Sequence, residues 1–150
     1  MSDLKIEELS ASTIVAVNRL GLKPGQEQFV SPVSYSAAAA VTPPDAAWQR
    51  VVLKDGRVVG FIHGNFDPDA HEDHFKAALW RINVDADVQG QGVGTFAVRH
   101  LLEEAKSRGH KQLTVVWERG SGGPEQFFLN VGFNPIGETV YGEVIGAYDL

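Results

Sequence analysis

The stretch DVQGQGVGTF, residues 87–96, constrains this chain more than any other. It sets Gly90, Gly92 and Gly94 between an apolar strand-like segment, KAALWRINVDA (76–86), and an amphipathic one, 92–108. Glycine loses more backbone entropy on folding than any other residue, so three in so short a span need a structural reason. Val93, Phe96, Ala97, Leu101 and Ala105 recur at helical spacing, which makes the second segment a helix with one apolar face, stopped at Gly109. The glycines therefore open a helix, where four backbone N–H groups lack partners and the macrodipole adds partial positive charge. A glycine-lined helix start is suited to an anion, a phosphate above all.

The rest of the chain supplies a sheet. LKIEEL (4–9) reads as an edge strand, and a helix capped by Ser10 or Ser12 runs to about Leu20. VSYSAAAAV (33–41) reads as a short helix ended by Pro43-Pro44. WQRVVLKDGRVVGFIHG (48–64) is a hairpin turning at Asp55-Gly56, and KQLTVVW (111–117) is a buried strand. GPEQFFLNVG (123–132) is a short helix with Pro124 in its first turn, and 133–150 closes as a hairpin. Most of the strand connections are antiparallel, and the 150 residues show no repeat or linker. The expectation is one mixed α/β domain spanning 1–150.

Charge and composition remove several function classes. A net charge of −6 argues against nucleic acid as a partner. No apolar run approaches the roughly 20 residues of a membrane helix. There is no cysteine, so disulfides and thiolate metal sites are excluded. The N-terminal MSDLKIEELS lacks a signal-peptide core, so a cytoplasmic protein is expected. His71, Glu72, Asp73 and His74 have a metal-like spacing but no third ligand in a fixed frame, and they read as a solvated loop beside the site; no metal is expected. His63 reads as a core-edge histidine.

Three phosphate-binding designs compete for the glycines. A Walker loop needs Lys-Ser/Thr after its last glycine, and Thr95-Phe96 follow Gly94 instead. A dinucleotide loop has support from Gly92-Val93-Gly94-Thr95-Phe96-Ala97 and from Glu118 at the end of the next strand. Against it, Asp85 to Gln91 separate the strand from the first matching glycine, and the chain after Glu118 has no room for another crossover helix and parallel strand.

VDADVQGQGVGTFAVRHLLEEAKSRG resembles the coenzyme A signature of the GNAT acetyltransferases, Q/R-x-x-G-x-G/A after a strand, with Gln89-Gly90-Gln91-Gly92-Val93-Gly94 fitting each position. PEQFFLNVGFNPIGE resembles the family's downstream short helix and its leucine-glycine-phenylalanine step, here Val131-Gly132-Phe133. GQEQFV (25–30) and YGEVIGAYDL (141–150) are similar to a bacterial branch described as spermidine or diamine acetyltransferases, and the resemblance covers nearly the whole chain.

The resemblance implies a mostly antiparallel sheet flanked by helices, with a V-shaped split between the strands at 79–84 and 112–117. It implies acetyl-CoA as acyl donor, its pyrophosphate on Gln89, Gly90, Gln91, Gly92, Val93, Gly94 and Thr95, and its pantetheine arm paired with backbone of Ile82 to Val84 and packed against Phe128. It also implies an N-acetyltransferase acting on a primary amine of a small molecule, a polyamine included. The sequence departs from the family where the aromatic pair ends in tyrosine, whose hydroxyl serves the leaving thiolate: here the pair is Phe127-Phe128, and Ser121-Gly122-Gly123 replaces a usual asparagine. That departure keeps a non-catalytic acyl-CoA sensor in view, and the dinucleotide reading of the glycines keeps an NAD-dependent oxidoreductase. An ammonium acceptor must lose a proton before attack, which makes Glu118 a candidate base. Glu143 either binds a cationic acceptor or pairs within the closing hairpin, and Tyr141 shares that choice or protonates the leaving thiolate, so Glu118, Tyr141 and Glu143 are the candidate catalytic residues. Exposed edge strands point to a homodimer.

Overall fold

The computed structural model describes residues 4–21, 35 and 44–150. The helix expected over 33–41, the loop at 23–32 and the GQEQFV segment lie outside the described residues, Tyr35 excepted. Seven strands form one sheet: β1 (Leu4–Glu8), β2 (Ala47–Lys54), β3 (Arg57–Phe66), β4 (Ala77–Val84), β5 (Gln112–Trp117), β6 (Asn134–Glu138) and β7 (Val144–Asp149). Their order is β1-β2-β3-β4-β5-β7-β6, and every neighbouring pair is antiparallel except β4 with β5. The helices are α1 (Ile14–Asn18), α2 (Val93–Ser107) and α3 (Glu125–Val131). The sheet is therefore the mixed, mainly antiparallel one that the resemblance implies, and not the open parallel sheet of a dinucleotide fold.

The helix expected from Ser10 to Leu20 is shorter than its pattern. Ser10, Ser12 and Thr13 spend their hydroxyls on one another and on the turn, with Ser10 N–H donating to Thr13 Oγ1 at 3.0 Å. Such local bonds compete with helix, and α1 begins only at Ile14.

The core follows the strand and helix periodicities. Val93, Ala97, Val98, Leu101, Leu102 and Ala105 bury the inner face of α2 against Val59, Ile62, Leu79, Leu113, Val115 and Trp117. Each fully buried Val or Leu contributes about 1.5–3 kcal/mol. The opposite face of the sheet carries a smaller cluster of Tyr35, Ala78, Val116 and Ile145, with Phe75 and Trp80 packed on it.

Two irregularities create the site. β4 and β5 pair only at Ala78 with Thr114 and Leu79 with Val115, then part. Beside that point the β3–β4 register slips between His63 and Gly64: His63 faces Arg81, Gly64 faces Leu79, and Trp80 is the extra residue. A bulge of this kind bends its strand and raises the local twist, which carries β4 away from β5.

Candidate functional site

The gap between β4 and β5 is lined by backbone whose direction follows from pairing phase. Asp85 N–H donates to the Val59 carbonyl at 2.9 Å, so Asn83 with Phe61 is also a hydrogen-bonded pair, and Ile82 and Val84 turn their backbone groups away from β3. On the other side, Leu150 N–H donates to the Lys111 carbonyl at 3.0 Å. By the same alternation Gln112, Thr114 and Val116 turn theirs toward β4. Past Leu79 and Val115 these two rows face each other without pairing.

From the end of β4 the chain enters the glycine loop through a tight turn at Ala86–Val88, closed by Asp87 N–H donating to Asp85 Oδ1 at 3.0 Å. Gln89 reaches back, its Nε2 donating to the Val84 carbonyl at 2.8 Å, which ties the loop to the strand. Gly90 and Gly92 have φ of +83° and +89°, and nothing lies within 4 Å of where a Cβ would project. That backbone costs an L-residue roughly 1–2 kcal/mol, and it leaves the approach to the loop open. Gly92 caps α2 without a side chain, and no acid sits in the first turn. The N–H groups of Val93, Gly94 and Thr95 thus start a fifteen-residue helix with no carboxylate competing for them. These features fit a phosphate group.

Gly94 has a different purpose from its two neighbours. A Cβ there would lie 3.0 Å from the Phe127 ring. Phe127, rather than Phe128, is the aromatic that meets the loop. Phe128 is only 3 % exposed and is stacked on Trp117 (centroids 5.5 Å apart), edge-on to Phe133 and Phe127. It forms the floor under Phe127, the core role that the pair's apolar character equally allows. Trp117 Nε1 donates to Glu125 Oε2 at 2.8 Å and so fastens the start of α3 to the open end of β5.

Lys54, at the end of β2, donates to Gln91 Oε1 at 3.0 Å and stands a cation beside the loop. Sequence reading misses it, because 37 residues separate the two and only the sheet brings them together.

The three candidate catalytic residues do not share one environment. Trp117 pairs with Val144, and Glu118 and Glu143 lie one residue beyond that pair on β5 and β7. Glu143 is a carboxylate 3 % exposed, with Oε1 accepting from Thr139 Oγ1 at 3.1 Å. Glu118 is half-buried at the mouth of β5. Tyr141 is 54 % exposed on the β6–β7 turn, where its N–H donates to Thr139 Oγ1.

In the polar loop, His74 Nε2 meets Glu72 at 2.9 Å and Lys76 meets Asp73 at 3.1 Å, and among the described residues no group of three or more His, Asp or Glu could hold a metal. His63 stacks obliquely on Trp80, and burial, then the Arg81 charge, pulls its pKa below the ordinary imidazole value. Among the described residues no helix is long and apolar enough to cross a membrane.

A strand, a glycine loop on an uncapped helix and a parted pair of strands match one family in sequence as well. The acetyltransferase (GNAT) family model matches residues 18–130. The chain belongs to the GNAT acetyltransferase family. Membership puts it among the acyl-CoA-dependent N-acetyltransferases. No curated protein matches it in sequence.

Solved GNAT structures share its fold at low identity. The ribosomal-protein-S18-alanine N-acetyltransferase from Escherichia coli is 21 % identical, with 98 % of this chain and 94 % of that one covered and a TM-score of 0.67. The PaiA N-acetyltransferase from Thermoplasma acidophilum, in complex with coenzyme A, is 14 % identical over 99 % of both chains, with a TM-score of 0.73. An aminoglycoside 6'-N-acetyltransferase complexed with coenzyme A is 15 % identical, over 97 % of this chain and 96 % of that one, with a TM-score of 0.67.

Proposed function

We propose that the chain transfers an acetyl group from acetyl-CoA to the primary amine of a small molecule, by direct attack of the amine on the thioester. The observation that carries this reading is the alignment of two features along one strand. Backbone of Ile82 and the Val84 N–H, turned away from β3, faces the gap, and the acid-free glycine loop follows within a few residues.

Residues Gln89 to Thr95 would hold the pyrophosphate, with Gly90 and Gly92 leaving the amides open and Lys54 adding positive charge. Ile82 and the Val84 N–H would pair with the pantetheine arm as an added strand; the Val84 carbonyl is already engaged by Gln89. Phe127 would line the arm, with Phe128 as its support. Acetyl-CoA supplies an acyl carbon activated as a thioester: the new C–N bond forms, the C–S bond breaks and the thiolate leaves.

The chain's own task on the acceptor side is to bring a neutral amine to that carbon. Glu118 and Glu143, at the common end of β5 and β7, are the carboxylates we assign to binding the ammonium and accepting its proton, with Tyr141 on the turn above them. Polyamines, the class named by the sequence resemblance, head the acceptor panel. A cytoplasmic setting and a homodimer joined along an outer strand, β1 or β6, complete the reading.

Calorimetric titration with acetyl-CoA, followed by thiol-release assays over polyamines, amino acids and aminoglycosides, tests it. Micromolar binding that Gly92→Leu abolishes in a folded chain is the expected result; no binding at high micromolar concentration overturns it. Phe128, which offers no hydroxyl on α3, favours one second reading, an acyl-CoA sensor without catalysis. Binding with no thiol release for any amine would select that reading.

A further inference from the structure

The gap between β4 and β5 needs a physical cause, because two parallel strands with facing backbone groups gain by pairing further. Trp80 explains half of it by bulging out of the β3 register. The other half lies on the face of the sheet away from α2. Tyr35, only 3 % exposed, stacks on Trp80 with ring centroids 5.7 Å apart and 23° between planes, and meets Phe75 edge-on at 5.7 Å. It is packed in one cluster with Ala78, the residue before the last β4–β5 pair, and Val116, the first β5 residue past it.

We infer that Tyr35 is the wedge that holds β4 and β5 apart beyond Leu79 and Val115, and so is a positioning residue for the gap in which the acyl donor is bound. Its ring packs with Val116 on one side of the parting point and stacks on Trp80 on the other. By the pairing phase, Val116 turns its backbone toward β4. The ring therefore sits on the sheet face over the point where β4 and β5 part, braced between the bulged Trp80 and Val116. Thr114 is itself fixed at the closed end, where its hydroxyl donates to the His74 and Ala77 carbonyls.

The Tyr35 hydroxyl completes no close hydrogen bond among the described residues. Bulk and ring stacking, not a directed bond, therefore carry the wedge. Burial drives the phenol's pKa far above the ordinary tyrosine range; Thr114 and the Val116 backbone oppose this and the Glu143 charge adds to it. The residue thus stays neutral and keeps its shape at any working pH.

The inference rests on the acetyltransferase reading for its link to the cofactor, but its structural half is tested separately. Tyr35→Phe, which keeps the ring, is expected to hold acetyl-CoA affinity and kcat within about twofold of the parent. Tyr35→Ala is expected to raise KM for acetyl-CoA by about tenfold or more, measured well below its Tm. The amides of Ile82 and Val84 should at the same time exchange more slowly with deuterium, as β4 zips onto β5. A purely structural role would lower Tm without adding protection at those two amides.

If Tyr35→Ala does not fold, Tyr35→Val, which loses the stack and much of the bulk, takes its place with the same expected direction. Unchanged affinity and unchanged amide exchange in the folded alanine or valine variant overturn the inference. Failure of the parent chain to bind acetyl-CoA would instead sink the acetyltransferase reading, while the exchange comparison would still decide whether Tyr35 is the wedge.

Discussion

Gly94, in the first turn of α2, and Phe127, in α3, touch across the mouth of the gap so closely that a single methyl would stand 3.0 Å from the ring. That contact couples the loop to the helix behind it. Gly94→Ala is expected to push Phe127 aside at about 1 kcal/mol of stability and to weaken acetyl-CoA binding severalfold. Combining it with Phe127→Ala should remove most of the Gly94→Ala penalty. Thermal denaturation and calorimetry on the double-mutant cycle check this, and additive effects would deny the coupling.

Lys54 is held beside the loop by Gln91. Lys54→Gln keeps a donor and loses the charge. It should weaken acetyl-CoA binding by roughly threefold at low salt, in line with a solvent-accessible charge worth under about 1 kcal/mol. The difference should vanish near 0.5 M salt, where the Debye length is only about 4–5 Å. A difference that persists at high salt would show that Lys54 acts by shaping the loop.

The bond from Trp117 Nε1 to Glu125 Oε2 sets where α3 begins. Glu125→Ala leaves a buried indole N–H unsatisfied, a cost of about 1–3 kcal/mol, or roughly 3–9 °C in Tm for a chain of this size. Glu125→Gln retains an acceptor and should recover most of the loss. Equal melting temperatures for the two variants would show that the bond does not hold α3.

His63 predicts how stability responds to acid. Burial, then the Arg81 charge, lowers its folded pKa below the value in the unfolded chain, so the unfolded state binds the extra proton first. Stability is then fully present above the unfolded imidazole pKa, near 6.5, and is lost as pH falls through the folded value. His110, lowered first by burial and then by Arg108, acts in the same direction. Melting curves between pH 8 and pH 5.5 should show a falling Tm, with a shallower slope in His63→Gln. An identical slope would remove His63 from the account.

How much of this was legible beforehand differs by residue. The α2 segment was readable because Val93, Ala97, Leu101 and Ala105 carry a helical period, and the expected 92–108 differs from Val93–Ser107 by a residue at each end. The β2–β3 hairpin was readable from Asp55-Gly56. The bulge left only a faint trace: Ala77, Ala78, Leu79 and Trp80 run apolar before the strand alternates from Arg81 to Val84, and period alone does not say which of them is extra.

Phe127 and Phe128 are chemically equal in sequence, and only the docking of α3 on Trp117 makes one the floor and the other the contact to the loop. Glu143 and Tyr141 sit two residues apart, yet one is buried and the other exposed. Strand alternation is lost in the turn, so spacing cannot sort them. Tyr35 owes its place to stacking on Trp80, and Lys54 to the sheet that sets the end of β2 beside the loop; no local pattern marks such residues.

The amide of Gln89 makes the end of β4 and the start of α2 a single caliper. One jaw is the row of backbone groups in the gap, the other is the glycine loop, and the side chain of Gln89 is the screw that locks their separation. A carrier held in both jaws is gauged by the length of its arm. Shortening that arm by a few bonds should leave the phosphate end seated and the reactive end out of register. Loosening the screw with Gln89→Ala should blur the distinction between long and short carriers before it abolishes binding to either.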